Sequence, residues 1–234
     1  MDHAPSNDPS THRSRDRQEP DRPAYARIRQ MKRGDYDRAL ANEILDCGLV
    51  GHMGFVADER PMVIPMAYAR VGDVLYVHGA STTRLIKSQA GGLPVSFTVT
   101  HLDGLVVARA AFNLSMNYRC AIVHGQATLV EDLDEKEASL IAITDHMLPG
   151  RWSESRPMLP KELKATGVLR LTMDHVSTKV RSGPPVDEDE DLGLPIWAGV
   201  IPVTSALGQP LAAADVPDTV TAPASLQAAR KKFA

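Results

Sequence analysis

A succession of short apolar runs, each closed by a polar turn, constrains the fold more than any other feature of the sequence. These runs lie between residues 49 and 180, and most are five to ten residues long, which is typical of strands. The connections are short and carry Gly or Asp, as at Gly72 and Asp73. Connections of this kind favour hairpins, so consecutive strands are expected to pair in antiparallel fashion. We therefore predict six or seven strands with two or three helices, closed into a modest barrel.

Specific turns and caps refine this prediction. The pair Asp103 and Gly104 is the strongest single turn signal in the chain. Asp35 is predicted to cap a first helix that ends at Gly48. The segment DEKEASLIAITDHML has helical spacing, and GVLRLTMDHVSTKV is predicted to be one final strand.

The two ends of the chain differ in composition from its centre. Residues 1–23 are polar and interrupted by proline, and we predict a disordered tail there. Residues 24–205 are predicted to form one domain. Residues 206–234 are rich in Ala and Pro and are predicted to be a loose tail, with room for a short terminal helix.

Bulk properties exclude several classes of protein. The formal net charge is −3 and aromatic residues make up 5%, so neither a basic field nor a base-stacking surface indicates a nucleic-acid partner. No apolar run reaches the roughly 18 residues that span a membrane, and the N-terminus has no apolar signal segment. We expect a cytoplasmic protein.

Motifs for metal or nucleophilic chemistry are missing from the sequence. The eight histidines show no HExxH or HxH spacing, so we expect barrel or interface histidines and no metal site. No GxSxG motif and no dinucleotide fingerprint follows a strand. If the protein is an enzyme, a cofactor is expected to supply the chemistry.

The stretch YVHGASTTRLIKSQ places hydroxyls and cations where a strand gives way to a helix. The strand ends at Gly79, Thr82 and Thr83 follow, and Arg84 and Lys87 lie one helical turn apart. Free backbone N–H groups, hydroxyls and cations together suit a phosphate or carboxylate. The alternative is an ordinary helix cap with two solvated cations.

Two further segments carry candidate binding residues. Tyr118 and Arg119 begin a strand after a polar loop, where Arg119 can hold a ligand, meet another subunit or simply be exposed. Trp197 follows the acidic run 187–191, and we expect it to dock on its own barrel or on a partner.

Three segments together resemble a known family. They are GHMGFVADERPMVIPMAYARVGDVLYVHGASTTRL, MNYRCAIVHGQATLVED and STKVRSGPPVDEDEDLGLPIWAGVIP. In this order and spacing they resemble the flavin-nucleotide-binding branch of the pyridoxamine 5'-phosphate oxidase-like superfamily, close to the nitroimidazole-resistance proteins. The resemblance implies a mainly β protein, an antiparallel split β-barrel that forms a homodimer with FMN at its interface.

The resemblance also implies which residues contact FMN. The flavin ring is expected along the strand that carries Ile64, Pro65, Met66 and Ala67. The ribityl chain is expected at the strand end beside His78 and Gly79, and the phosphate at the strand-to-helix junction beside Thr82, Thr83, Arg84 and Lys87. The remaining contacts are Tyr118 and Arg119, on the partner strand, and Trp197, in the C-terminal segment.

The function implied by the resemblance is an FMN-dependent oxidoreductase that reduces a small electrophile, with NAD(P)H as a possible reductant. No catalytic residue is assigned, although Tyr118, Arg119 and His78 are candidates to polarise a substrate oxygen. The main alternative is a non-enzymatic flavin carrier or redox sensor. A deazaflavin-dependent reductase is a further alternative. The resemblance disfavours pyridoxamine phosphate oxidation, because true oxidases of this kind carry a basic C-terminal motif and LGLPIWAGVIPVTSALGQP has no Arg or His. A haem-handling role is kept open by His175 and the other histidines.

Overall fold

The computed structural model describes residues 22–87 and 92–234. Within them lie ten strands and five α-helices. The strands are β1 (Gly34–Asp35), β2 (Gly51–Ala57), β3 (Arg60–Met66), β4 (Tyr68–Val71), β5 (Val74–Ala80), β6 (Leu93–Val107), β7 (Ser115–Leu129), β8 (Thr166–Thr172), β9 (His175–Arg181) and β10 (Gly199–Pro202). The helices are α1 (Arg38–Asp46), α2 (Arg84–Lys87), α3 (Leu133–Met147), α4 (Pro160–Ala165) and α5 (Ala224–Lys232).

All strands belong to one antiparallel sheet. Its main path runs β3-β2-β6-β7-β8-β5-β4, while β9 pairs with β7 and β1, and β10 pairs with β6. The long strands β6 and β7 therefore form the spine, because each has two different neighbours along its outer edge. A mainly antiparallel sheet with few helices confirms the predicted fold class and is consistent with a split barrel.

The main core lies between the inner face of this sheet and helix α1. Tyr68 and Phe97 pack edge to face with ring centroids 5.0 Å apart. The Tyr68 hydroxyl donates to the carbonyl of Leu45 at the end of α1, so the buried phenol is satisfied. A smaller cluster of Val130, Leu140 and Val168 lies beneath α3.

The predicted turn at Asp103 and Gly104 is wrong. Strand β6 continues through both residues, and its pairing with β7 shifts register between Leu102 and Gly104. The extra residue makes a β-bulge, which a short Asp-Gly signal cannot distinguish from a hairpin turn. Strand β10 covers this point, and a Cβ on Gly104 would lie 3.1 Å from the Ile201 carbonyl oxygen.

Two other local predictions need correction. Asp37 rather than Asp35 caps α1, and its carboxylate accepts from the backbone N–H of Ala39. The predicted final strand is broken at Met173 and Asp174 into β8 and β9. Both halves pair with β7, but β8 pairs with residues 127–129 and β9 with residues 118–124, so the sheet has more strands than we predicted.

The C-terminal segment contains a packed helix, although the domain limits themselves stay a prediction. Within α5, Ala229 is buried, and the Lys232 ammonium donates to the carbonyl oxygen of His146 at 2.6 Å. Residues 224–232 are therefore not a loose tail, because their small side chains dock on the domain. At the other end, Arg22 is buried rather than part of a tail, while residues 1–21 lie outside the described residues.

No helix among the described residues is long and apolar enough to cross a membrane.

Candidate functional site

The strand-to-helix junction has the shape that the sequence predicts. Strand β5 ends at Ala80, and the turn after it is closed by a hydrogen bond from the Thr83 N–H to the Ala80 carbonyl, at 2.9 Å. The Ser81 N–H donates to the Ala165 carbonyl at 2.8 Å, which fixes the turn to the end of α4. The Thr83 hydroxyl lies 3.8 Å from the position that a Cβ on Gly79 would occupy. Gly79 therefore keeps the space beside this hydroxyl free.

Helix α2 begins at Arg84 and ends at Lys87. The side chains of both residues lie outside those that the structure describes, so their roles at this junction stay predictions.

The strand predicted to lie along a flavin ring reaches the same junction. Strand β3 ends at Met66 and β4 begins at Tyr68. Tyr68 on β4 pairs with Val77 on β5. Because the two strands are antiparallel, Ala67, which precedes Tyr68, and His78, which follows Val77, are neighbours at the end of this pairing. The structure thus brings Met66, Ala67, His78, Gly79 and Thr83 together; Ile64 and Pro65 precede them on β3, and Thr82 precedes Thr83 in the turn.

His78 is the most informative residue of this cluster. Its Nδ1 atom is buried and has no hydrogen-bond partner among the described residues. Burial also lowers the pKa of the imidazole, so the neutral form is favoured. A buried, unsatisfied nitrogen carries a free-energy cost that a bound polar group would remove.

Three predicted residues lie away from this cluster within one chain. Arg119 donates to both carboxylate oxygens of Asp103, at 3.0 and 2.8 Å, and this pairing lowers the pKa of Asp103. Tyr118, beside it, is half-buried. Trp197 is largely exposed and lies over Gly199 on β10, where its ring carbon is 2.9 Å from a hypothetical Cβ.

The outer face of the sheet presents a second candidate site. Its register aligns one residue from each of five strands in a row, because directly paired residues project from the same face. That row is Val63, Gly54, Ser96, His124 and His175, in the order β3, β2, β6, β7 and β9. The next row is Pro65, His52, Thr98, Ile122 and Ser177.

A segment before β1 makes this face into a groove. The Arg22 guanidinium donates to the Val176 carbonyl at 3.2 Å, and the Ile28 N–H donates to the Tyr36 hydroxyl at 2.7 Å. These contacts hold residues 25–30, here called the N-terminal strap, over β7 and β9. The groove has a volume of about 690 Å³ and is lined by Tyr25, Ala26, Arg27, Ile28, Arg29, Gln30, Ile122, His124, Ser177 and Lys179.

His124 is one of the residues that line this groove. Its Nδ1 is 2.8 Å from the Ser96 hydroxyl, and the Tyr25 ring packs edge-on against it with centroids 5.3 Å apart. The Tyr25 ring also lies 6.1 Å from the His175 ring. Burial lowers the pKa of His124, and the nearby His175 and Arg22 lower it further.

Sequence reasoning did not select this groove. His124 and His175 are 51 positions apart, and nothing in their spacing indicates that they are neighbours. Only the register of β7 against β9 brings them together. Among residues 22–87 and 92–234, no group of three or more His, Cys, Asp or Glu side chains could hold a metal ion.

Comparison with protein families gives one match. Residues 37–180 match the family model of pyridoxamine 5'-phosphate oxidase. No curated protein matches the sequence.

Two solved structures illustrate the similarity of this chain to known proteins. The flavocytochrome Anf3 from Azotobacter vinelandii is 34% identical with a TM-score of 0.83, and the match covers 88% of this chain and 96% of that one. The FAD and heme binding protein from Mycobacterium smegmatis is 36% identical with a TM-score of 0.80, and the match covers 85% and 97%.

A candidate 5-nitroimidazole antibiotic resistance protein from Bacteroides thetaiotaomicron shares the fold at 21% identity. Its TM-score is 0.53, and the match covers 63% of this chain and 86% of that one.

Proposed function

We propose, from the finding that this chain belongs to the pyridoxamine 5'-phosphate oxidase family, that it is a flavin-binding redox protein. The proposal is supported by two structures above 30% identity, one a flavocytochrome and the other an FAD and heme binding protein. The observation that carries it within this chain is the cluster around His78, whose buried Nδ1 has no hydrogen-bond partner in the described part of the chain.

The cluster suits the two chemically different ends of a flavin. The backbone at Met66 and Ala67, where β3 gives way to β4, carries the N–H and C=O groups that the polar edges of a flat ring require. The Thr83 hydroxyl suits the phosphate, and Arg84 would supply positive charge there. In neutral His78, Nδ1 can either donate one hydrogen bond or accept one, depending on which ring nitrogen carries the proton. A bound flavin supplies hydride or single-electron chemistry, and these residues hold and orient it.

The sequence predicts FMN, whereas one of the similar structures is an FAD binding protein. Both flavins share the ring, the ribityl chain and the first phosphate, so the His78 cluster serves either. We propose FAD or FMN as the cofactor, and the mass of the chromophore released from the protein decides between them.

We further propose that the protein is a homodimer. Ile201, Leu105 and Met116 align across β10, β6 and β7, and they are 50%, 46% and 51% exposed in one chain. Trp197, at 65% exposed, extends this apolar face. A face of this kind is unfavourable in water and is typical of a subunit interface. A second copy on it would bring the partner's copies of Tyr118, Arg119 and Trp197 close to this chain.

The reaction we propose is reduction of a small electrophile by the reduced flavin, with NAD(P)H as the source of electrons. A carrier or redox sensor is the competing function. The two are separated by anaerobic titration with NADPH while the flavin absorbance near 450 nm is followed. Bleaching that a nitroaromatic acceptor reverses supports the oxidoreductase, while a flavin that NADH and NADPH leave oxidised supports the carrier.

We propose heme as a second cofactor of the protein. The proposal is supported by two similar structures above 30% identity, of which one is a flavocytochrome and the other an FAD and heme binding protein. Pyridine haemochrome analysis of the purified full-length protein tests it, and a protein that takes up no hemin would overturn it.

The experiment that tests the flavin proposal is identification of the released chromophore. The full-length protein is purified without added cofactor, precipitated with acid, and the supernatant is analysed by mass spectrometry. We expect FAD or FMN near one equivalent per chain. Protein that is colourless and takes up neither flavin at micromolar concentration would overturn the proposal.

A further inference from the structure

We propose that the groove between the N-terminal strap and strands β7 and β9 binds the adenosine diphosphate half of a dinucleotide, with Arg27, Arg29 and Lys179 holding the phosphates. None of the described lining residues belongs to the His78 cluster. The site therefore goes beyond the proposed function and does not depend on a bound flavin. FAD and NADPH both carry this half, and the experiment below separates the two sources.

Unpaired positive charge is the feature of the groove that points to an anion. Arg27, Arg29 and Lys179 line it, and the described lining residues include no carboxylate. Within residues 22–87 and 92–234, no acidic side chain forms an ion pair with any of the three. A cleft lined by charge of one sign concentrates ligands of the opposite sign.

The number and kind of these cations favour a diphosphate over a single carboxylate. A guanidinium can donate two parallel hydrogen bonds to one phosphate group. Arg27 Nε donates to the Arg22 carbonyl at 2.6 Å, which leaves the terminal nitrogens of Arg27 for a ligand. A carboxylate has one negative charge and would leave two of the three cations unpaired, whereas a diphosphate carries at least two.

The rest of the lining suits a base and a ribose. Tyr25 is 68% exposed, so part of its ring is open to a base, and Ile28 and Ile122 supply apolar contacts. Gln30 and Ser177 offer an amide and a hydroxyl for hydrogen bonds to a base edge or a ribose. The volume of about 690 Å³ lies within the range of small-molecule sites.

The strap is held in place by contacts that do not involve a ligand. The Arg22 guanidinium donates to the Val176 carbonyl at 3.2 Å and lies 4.0 Å from the centre of the Tyr36 ring. The Ile28 N–H donates to the Tyr36 hydroxyl at 2.7 Å. Because these contacts fix the strap against the sheet, less conformational entropy is lost when a ligand binds to its arginines.

The groove lies within reach of the strand on which the flavin ring is expected. Pro65, His52, Thr98 and Ile122 pair in succession across β3, β2, β6 and β7, so they project from one face. Since neighbouring strands are about 4.8 Å apart, Ile122 lies about 14 Å from Pro65. An extended dinucleotide spans this distance, so one molecule can reach from β3 to the groove.

The test measures nucleotide binding to the full-length protein. The flavin-free fraction is titrated with ADP and with adenosine in an isothermal calorimeter. We compare the wild type with Arg29→Gln and Lys179→Gln, which remove one charge from the strap and one from β9. Lys32→Gln is the matched control, because this exposed lysine lies three positions beyond Arg29 and does not line the groove.

We expect ADP to bind about tenfold or more tightly than adenosine, because its phosphates contact the cations. Arg29→Gln and Lys179→Gln should each weaken ADP binding by about 10- to 100-fold, the scale of a hydrogen bond to a charged group. Lys32→Gln should bind ADP like the wild type. The ligand-free variants should melt at no lower temperature than the wild type, which shows that the losses are local.

Two further measurements identify the source of the adenosine diphosphate. If it belongs to FAD, Arg29→Gln and Lys179→Gln should weaken FAD binding and leave FMN binding unchanged. If it belongs to NADPH, both variants should raise the KM for NADPH in flavin reduction and keep the wild-type affinity for both flavins. Either result supports the groove as the nucleotide site.

Two results would overturn the assignment. One is a wild type that binds ADP no more tightly than adenosine. The other is a pair of variants, Arg29→Gln and Lys179→Gln, that bind ADP as tightly as the Lys32→Gln control. A protein that takes up no flavin but binds ADP through Arg29 and Lys179 would disprove the proposed function and leave this site intact.

Discussion

Arg119 and Asp103 meet across the bulge in β6, where the guanidinium donates to both oxygens of the carboxylate. The bulge takes Asp103 out of the regular ladder, and the pair fixes it to the neighbouring strand β7. Arg119, one member of this pair, is also a residue that the sequence assigns to flavin binding. Arg119 is therefore a structural cation in one chain, and any contact with a flavin would have to be shared with Asp103.

Replacement of Asp103 by Ala should lower the free energy of unfolding by about 1 kcal/mol. The loss is modest because both side chains are more than a third exposed and solvent screens the pair. Urea denaturation measures the change. The matched control is Asp73→Ala, whose pairing with Arg38 is more exposed and should matter less. Equal losses for the two variants would show that the bulge does not depend on this pair.

Replacement of Asp187 by Asn should cost more, about 2–4 kcal/mol. The Asp187 side chain is 2% exposed, lies 2.7 Å from an Arg109 guanidinium nitrogen and also accepts from the Arg109 N–H. Removing its charge would leave a largely buried guanidinium uncompensated. The neighbouring Asp189→Asn changes charge equally but lies at an exposed position.

The midpoint of thermal unfolding measures both variants. Asp189→Asn should leave the protein unchanged, and a similar loss in the two variants would contradict a specific role for Asp187.

Replacement of Gly125 by Ala should destabilise the fold by about 3 kcal/mol or more. A Cβ there would lie 1.8 Å from the Thr172 carbonyl oxygen, so strands β7 and β8 would have to move apart. Gly193→Ala is the control because nothing lies within 4 Å of its Cβ position. Chemical denaturation of both proteins tests this, and a Gly125→Ala protein as stable as its control would show that the strands are not so close.

Stability should fall as the pH is lowered from 7 towards 5, and His146 should contribute to that fall. Burial lowers its pKa most, and the nearby Lys232 ammonium lowers it further. The unfolded chain therefore takes up the proton more readily, with a pKa near 6.5, so the contribution is complete above that pH and is lost below it.

The measurement for His146 is the melting temperature at several pH values. His146→Gln should show a flatter dependence than the wild type, while His52→Gln, an exposed replacement, should not. Parallel curves for wild type and His146→Gln would remove this explanation.

Replacement of Arg84 by Ala should weaken flavin binding by about 1.5–3 kcal/mol, the scale of a hydrogen bond to a charged group. The reason is the loss of the cation expected beside the phosphate at the turn that Thr83 closes. Fluorescence titration of the flavin-free protein measures the affinity, with Arg60→Ala as an exposed control. An unchanged affinity for the Arg84 variant would exclude the junction as the phosphate site.

The parts of the fold that depend on neighbouring residues were predictable from the sequence. The β2–β3 hairpin turns at Asp58 and Glu59, both with positive φ, and the β4–β5 hairpin turns at Gly72. The bulge at Asp103 was not predictable, because β10, a strand almost a hundred residues later, decides whether the chain turns there. Turn-forming residues are present both at the hairpins and at Asp103, but only at Asp103 does a distant strand pair with the chain and keep it extended.

The two candidate sites differ in the same way. The proximity of residues 64–67 to residues 78–83 was predictable in part, because 64–67 lead directly into the β4–β5 hairpin and 78–83 leave it. Their contact with a flavin stays a prediction. The groove beneath the N-terminal strap was not, since His124, His175 and the strap come from three distant segments. That His124 and His175 are neighbours can be recognised only once the register between β7 and β9 is known.

The contact between Arg22 and the Val176 carbonyl joins residues that are 154 positions apart, and it sets when the groove can exist. During synthesis, the strap leaves the ribosome first, while its floor on β9 emerges only after most of the barrel. The strap must therefore wait without its binding surface until β9 has been synthesised. Any ligand of this groove can therefore bind only after β9 has emerged, so its binding is separated in time from the synthesis of the strap.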